Sequence, residues 1–219
     1  MCLIINIYNW SVLINLISDI IKFAFTMFEI FEKHLRSHVA ISDEDLELIH
    51  AGCVKRTIRK WQTILQDGDV WRINCFIASG CFRLFRFDND GIDHTLRFGV
   101  DNWWISDQES YNNEKRSDYN IEALAASTVF IWTKEKWTEL MEAIPALKRF
   151  NEILLAKSYE ASQRRIFSLI SFSAEEKYKE FQNTYPNVFN RVPLHMVASY
   201  LGISRETLSR IRKEATKHQ

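Results

Sequence analysis

The sequence predicts an α+β protein: an antiparallel β-roll of jelly-roll type, one long helix after it, and a helix-turn-helix at the C-terminus. Three observations carry that expectation. Between Cys53 and Phe98 five short β-like runs are separated by turn signals. From Trp137 to about Phe172 the text is helical with no strand signal. Over Leu194 to Lys213, small, apolar and capping residues fall at the offsets that two crossing helices need. These observations divide the chain into an apolar N-terminal extension (1–26), a roll (27–137), a long helix (138–172) and a helix-turn-helix domain (173–219).

Taken in order, the first 26 residues are apolar but interrupted by Asn6, Asn9, Asn15 and Asp19. Only the 17 residues from Cys2 to Ser18 are uncharged, at the short end of what a bilayer-spanning helix needs. No Lys or Arg precedes the run and no small-residue cleavage site follows it, so it does not read as a signal peptide. The expectation is that the natural start is Met27; the second reading is an amphipathic helix lying on the body of the protein or on a membrane surface. From Phe28 to His50 two short helices are expected, with Phe28, Phe31, Leu35, Leu46 and Ile49 at three-to-four spacing and Ser42 as an N-cap.

The β-like runs are Cys53 to Ile58, Trp61 to Leu65, Val70 to Ser79, Cys81 to Phe87 and His94 to Phe98. Gln66-Asp67-Gly68-Asp69 and Asp88-Asn89-Asp90-Gly91 separate them as turns, the second as a hairpin. Many short strands at close spacing make a compact antiparallel roll. In the helical stretch that follows, Pro145 is expected in the first turn. Leu147, Leu154, Ala161 and Ser168 repeat every seven residues, with Phe150 or Asn151, Lys157 or Ser158, and Arg165 between them. That spacing suits equally a helix packed on the roll and a helix pairing with its own copy. A new helix is expected from Ser173 to Thr184, stopped by Tyr185-Pro186-Asn187.

Composition limits the function classes. With 219 residues, 47% of them hydrophobic, the chain can bury one generous core or two small ones. A net charge of zero argues against a protein coated in nucleic acid, but the charge is uneven: Arg191 to the end carries six Lys or Arg against two Glu, so this segment is +4 and the rest −4. Cys2, Cys53, Cys75 and Cys81 show no CxxC spacing, which indicates neither zinc nor a disulfide framework and fits a reduced, cytoplasmic setting. Cys75 and Cys81, six apart, are expected on one strand face as small packing residues. A phosphate-cradling glycine loop, a pair of catalytic carboxylates and a nucleophile elbow are all missing from the text, so an enzyme is not expected.

The C-terminal segment carries the strongest signal. Ala198 is small where two helices approach most closely, Gly202 supplies the positive φ of the tight turn, and Ser204 caps the second helix. Val197, Leu201, Ile203, Leu208 and Ile211 supply a shared apolar seam, and Pro193 opens the first helix. The second helix then presents Arg205, Glu206, Ser209, Arg210, Arg212 and Lys213 outward. In a major groove Arg bonds O6 and N7 of guanine and Glu accepts from the cytosine amino group, so Arg205, Glu206 and Arg210 form a base-reading set. Ser204, Thr207, Ser209 and Lys213 suit phosphates. The rival classes are a ligand-binding module whose helix-turn-helix contacts protein, and a DNA-packing protein without a ligand.

Ile203-Ser204-Arg205-Glu206-Thr207-Leu208-Ser209-Arg210-Ile211 closely resembles the recognition-helix signature of the Crp/Fnr family, the cyclic-AMP receptor protein and its relatives. The order of parts resembles that family over Met27 to Gln219. The resemblance implies a cyclic-nucleotide-binding-like roll as sensor, a long helix as dimer interface, and a C-terminal domain on palindromic double-stranded DNA, with RNA polymerase as a further partner. It places Arg205, Glu206 and Arg210 at base-reading positions and Ser204 and Thr207 at phosphate contacts.

The sensor departs from the family pattern. Members that bind cyclic AMP carry Gly-Glu-Leu and, some ten residues later, Arg-Ser/Thr-Ala. Here the stretches read Phe98-Gly99-Val100-Asp101-Asn102-Trp103-Trp104 and Arg116-Ser117-Asp118-Tyr119-Asn120-Ile121-Glu122-Ala123. Ser117 then stands where the phosphate-binding arginine belongs, and Tyr119 where the small alanine belongs. An unpaired phosphate in such a pocket is strongly unfavourable, so cyclic AMP in the usual mode is not expected, and no cofactor is. Gly99, Asp101, Trp103, Trp104, Arg116, Ser117 and Tyr119 remain as an altered effector pocket, against the favoured reading that Trp103, Trp104 and Tyr111 pack the roll. Scattered cysteines do not suit an iron-sulfur cluster; His34, His38, His50 and His94 leave a haem sensor open. By the same resemblance, the wing that follows the recognition helix in many relatives is not expected here.

Overall fold

The computed structural model describes residues 28–186, 188–189 and 191–217. Both expectations for the N-terminal extension fall outside these residues. Helix α1 covers residues 28–36 and α2 is Asp43–Ala51, the latter capped by Ser42, whose hydroxyl accepts from the Asp45 amide at 3.1 Å. Eight strands follow: β1 Val54–Ile58, β2 Thr63–Leu65, β3 Ile73–Ser79, β4 Cys81–Phe87, β5 Asp93–Val100, β6 Trp103–Ile105, β7 Asn120–Ala123 and β8 Ser127–Thr133. A short helix, α3 Gln108–Asn113, lies between β6 and β7. After the strands come α4 Lys134–Ala143, α5 Pro145–Ser171, α6 Ala174–Thr184, α7 Leu194–Leu201 and α8 Arg205–Lys217.

The strands form two antiparallel four-stranded sheets, β1-β8-β3-β6 and β2-β7-β4-β5. The roll expected from the text is present, and it contains β6, β7, β8 and α3, which the text did not announce. The reason is burial: β7 reads Asn-Ile-Glu-Ala and is nearly all interior, so neither face shows the alternation that marks a half-exposed strand. The Asp88 to Gly91 hairpin closes as expected, with the Asp88 carboxylate accepting from the amides of Asp90 (3.0 Å) and Ile92 (2.9 Å). Trp61, expected in a strand, instead takes φ 66° in the preceding turn. Cys75 and Cys81 sit on β3 and β4, on opposite sides of a chain reversal, and join different cores.

Period-two alternation on β3 builds the layers. Cys75 and Ile77 point between the sheets, where they meet Ile58, Phe82, Leu84, Ile105, Ile121 and Val129. Phe76 and Ala78 point the other way, into a second core under α1, α2, α4 and α5 that holds Phe28, Phe31, Leu35, Ile49, Phe130, Trp132, Trp137, Leu147 and Phe150. All five residues that the text spaced along the first two helices are buried here. A third core joins the roll to the C-terminal helices: Cys81, Phe98 and Leu124 pack with Tyr178, Phe181, Tyr185, Val197, Tyr200 and Leu201.

The single helix expected over Trp137 to Phe172 is two. The chain leaves helical geometry at Ile144 (φ −121°, ψ 94°), and Pro145 opens α5 as its first residue. A residue before proline is pushed out of the α region, so the break falls one position ahead of the ring.

Two outcomes are expected from this packing. Gly80 has φ 139°, and a Cβ there would stand 2.1 Å from Ser127 Oγ. Gly80→Ala should therefore cost about 3 kcal/mol through backbone strain and overpacking, read as a lowered urea midpoint at unchanged m-value. Burial, followed by the positive charges of His38 and Lys157, pushes the His34 imidazole down from 6.5 to about 4. The folded state thus resists a proton that the unfolded chain accepts, so the stability that the neutral His34 contributes is fully present above pH 6.5 and is lost as pH drops from 6.5 towards 4. The difference in urea midpoint between the native chain and His34→Gln, measured across that range, should narrow on acidification.

Candidate nucleic-acid interface

The C-terminal unit is built by local chemistry. Ser173 and Glu176 form a reciprocal capping box at the start of α6: the Ser173 hydroxyl accepts from the Glu176 amide (3.2 Å) and the Glu176 carboxylate accepts from the Ser173 amide (2.8 Å). Pro193 precedes α7, and Gly202 ends it in the left-handed region at φ 64°. There its amide and that of Ile203 close onto Ser199 and Ala198, satisfying carbonyls that a helix end leaves open. Ser204 caps α8, its Oγ accepting from the Thr207 amide at 3.1 Å.

The seam expected between the two helices is present: Val197, Ala198, Leu201, Leu208 and Ile211 are buried, and the half-buried Ile203 packs against them. Locking Leu208 and Ile211 inward rotates the opposite face of α8 outward. Arg205, Glu206, Ser209, Arg210, Lys213 and Glu214 line one open groove along that face. This is the i, i+1, i+4, i+5 pattern of a single helical face. The structure thus brings the base-reading set Arg205, Glu206 and Arg210 together with Ser209 and Lys213. Glu206 is held below the usual carboxylate range, chiefly by its own backbone amide, so it presents an anionic acceptor at neutral pH.

Ser204 and Thr207 stand at the head of the same helix, where the Ser204 hydroxyl also donates to Thr207 Oγ1 at 3.0 Å. Arg212 is exposed as expected but lies outside the groove, its guanidinium 5.3 Å from the centroid of the Phe189 ring. It falls between the groove residues Arg210 and Lys213 but projects about 200° from the first and about 100° from the second, so linear proximity does not place it on their face.

The seven residues grouped as an effector pocket do not come together. Gly99 lies in β5, where a Cβ would meet Ile77 Cδ1 at 2.7 Å and Ile105 Cδ1 at 3.2 Å, so apolar side chains already fill that space. Asp101 accepts from the Gly80 amide (2.5 Å) and pairs with Arg191 (2.9 Å). Trp103 packs on Tyr185 with ring centroids 5.3 Å apart, whereas Trp104 points to the opposite core among Phe31, Phe76, Trp132, Trp137 and Phe150. Tyr111 also packs, its hydroxyl accepting from Asn74 at 2.7 Å. Arg116 is exposed, and Tyr119 is half-buried with the Arg86 guanidinium 5.9 Å from its ring.

Ser117 is buried and donates to the Asp107 carboxylate at 2.6 Å. Asp107 also caps α3 by accepting from the amides of Glu109 and Ser110. The sequence reading missed Asp107; its position ahead of Glu109 and Ser110 as a helix cap was the available signal. Of the histidines weighed for haem, His34 on α1 and His38 in the turn after it have rings 4.9 Å apart. His38 Nε2 accepts from Lys157 at 2.8 Å, so its free nitrogen is already used. Among the described residues no group of three or more His, Cys, Asp or Glu is placed to hold a metal ion.

The long helix α5 shows a seam, in a different register from the one the text suggested. Leu147 and Phe150 are buried against the roll, Leu154 packs there partly, and Ser168 is buried near the far end. Residues 155–164 are exposed throughout. The large apolar residues exposed on α5 are Leu155, Tyr159 (66% exposed), Ile166 (50%), Phe167, Leu169 and Ile170; of these Leu155, Tyr159, Ile166 and Leu169 fall at spacings of four, seven and three, with Ser162 completing the pattern. This is a four-three heptad seam one position on from the Leu147 series.

No family model and no curated protein matches the sequence. Solved structures do. FixK2 from Bradyrhizobium japonicum superposes with a TM-score of 0.67 at 14% identity, over 76% of this chain and 85% of that one. The c-di-GMP-responsive global regulator CLP of Xanthomonas campestris gives 0.63 at 13% identity, over 81% and 93%. A Crp/Fnr-family transcriptional regulator from Eubacterium rectale gives 0.60 at 17% identity, over 81% and 85%. At these identities the likeness is one of architecture, and it runs through roll, long helix and helix-turn-helix alike: the chain has the fold of the Crp/Fnr regulators.

Proposed function

We propose that this protein is a sequence-specific DNA-binding transcription regulator that acts as a homodimer on a palindromic site. The observation that carries this reading is the single open face of α8, where Arg205, Glu206, Ser209, Arg210 and Lys213 lie together while Leu208 and Ile211 hold the helix from behind. An α-helix fits the major groove, and this face offers two guanidinium forks for guanine, one carboxylate acceptor for cytosine and one ammonium for a phosphate. Fold likeness to transcription regulators supports the same reading.

The exposure of α5 supports the dimeric reading. A helix exposed all round over ten residues gains nothing from burial, and the apolar seam Leu155, Tyr159, Ile166 and Leu169 gives a second copy something to cover. Two-fold symmetry then sets two recognition helices about one helical turn, roughly 34 Å, apart. RNA polymerase as a further partner, a signal received in the roll, and a cytoplasmic setting belong to this proposal. The free thiols of Cys53, Cys75 and Cys81 fit the last of these.

Selection of bound sequences from a random DNA pool by the purified protein, with no small molecule added, should enrich a palindrome; recovery of unrelated sequences would refute sequence-specific binding. Arg205→Ala should relax base preference at one position of each half-site, by about 1–3 kcal/mol of discrimination. Lys213→Ala should weaken all sequences alike and lower the salt slope by about 1. Tyr159→Glu with Ile166→Glu should leave the fold intact and halve the mass in analytical ultracentrifugation, since charges buried in such a seam lack partners.

A further inference from the structure

The last turns of α5 touch the helix-turn-helix at two places. Arg165, the first residue after the fully exposed stretch to be half-buried, lays its guanidinium 3.4 Å from the centroid of the Tyr200 ring and donates from Nη2 to the Tyr200 carbonyl. One turn on, Leu169 Cδ2 lies 3.6 Å from where a Cβ would stand on Gly202, the turn residue between α7 and α8. These contacts meet the C-terminal end of α7, where the final carbonyls have no partner within the helix. A cation there is favoured both by the open carbonyl and by the negative end of the helix dipole.

Tyr200 is also fixed from the other side. Its ring packs on Phe98 of β5 (5.5 Å), Phe181 (5.3 Å) and Tyr185 (5.6 Å). Its neighbour Ser199 accepts from the Thr95 amide at 2.9 Å and donates to the Asp93 carbonyl at 3.2 Å, closing the edge of β5. One aromatic residue thus joins the roll, the long helix and the first helix of the helix-turn-helix, and Arg165 connects it to the helix that carries the proposed dimer seam.

We propose that Arg165 is a positioning residue, which clamps the helix-turn-helix to α5 and so sets the separation of the two recognition helices. This rests on the dimeric, DNA-binding reading above. Arg165 belongs neither to the groove of α8 nor to the set Leu155, Tyr159, Ile166 and Leu169, so its effect is expected on the geometry between half-sites. The local arrangement selects arginine: the planar guanidinium covers a ring face and donates to a carbonyl at once, whereas lysine supplies a point charge.

The test compares the native chain with Arg165→Ala and Arg165→Lys. Each is measured on duplexes carrying one half-site, or two half-sites with the spacer varied base pair by base pair. Arg165→Ala should keep the dimer mass and the half-site affinity, lose on the order of tenfold affinity for the best palindrome, and broaden its spacer preference. Arg165→Lys should recover part of that loss. An unchanged spacer profile in Arg165→Ala overturns the proposal. So does a parallel loss on half-site and palindrome, which would mean that the variant damages the reading unit itself.

A second measurement needs no DNA. A spin label at Glu214→Cys, with Cys2→Ser and Cys53→Ser, reports the distance between the two α8 helices. That distance should be narrowly distributed in the native dimer and broad in Arg165→Ala; equal distributions, or a native monomer, overturn the clamp. If the native chain selects no palindrome while the distance broadens, the DNA-binding reading has failed and the clamp stands.

Discussion

The C-terminal helices are seated on the edge of a β-sheet, and most of the molecule's geometry follows from that contact. β5 is the last strand of its sheet, so its outer N–H and C=O groups need partners. The Ser199 hydroxyl supplies both at once by accepting from Thr95 and donating to Asp93. Around that polar point Phe98, Leu124 and Cys81 share one buried core with Phe181, Tyr185, Val197 and Leu201. Helix α8 is therefore oriented by the roll as much as by its own turn.

This seat has a cost at its centre. Arg97, on the same strand, is held among Tyr185 and Tyr200, where burial disfavours its charge, and it donates to the Ser106 carbonyl at 3.1 Å while its buried Nε has no partner. Desolvating a guanidinium is unfavourable, and the surrounding aromatic area offsets it. The Asp101–Arg191 pair reinforces the seat from the adjoining turn. By contrast α5 meets the roll through Leu147, Phe150 and the Lys157–His38 hydrogen bond, and meets the C-terminal helices through Arg165 and Leu169.

The region grouped as a pocket illustrates how polar groups settle inside one chain. Asp107 finds three donors in the amides of Glu109 and Ser110 and the Ser117 hydroxyl. Ser110 in turn donates to the Lys115 carbonyl and accepts from the Trp71 amide. Polar residues that look available in the text are committed to their neighbours once the 107–119 segment folds against the turn before β3.

The helix-turn-helix was legible because its determinants are local. Ala198, Gly202, Ser204 and the Val197 to Ile211 seam act within about four turns of chain, so their spacing is their geometry. The first helices, the Asp88 to Gly91 hairpin and the start of the roll were legible for the same reason. β6, β7 and β8 were not, because a strand buried on both faces loses the alternation that betrays it. Nor were the partition of Trp103 and Trp104 into opposite cores, the turning of Arg212 onto Phe189, or the heptad register of α5. Each depends on which side of an element meets a neighbour distant in sequence. The sequence by itself determined the order of parts and the chemistry of the open face of α8. Only the tertiary structure decided how that face is mounted, because the mount is made of contacts about a hundred residues apart, from β5 to α7.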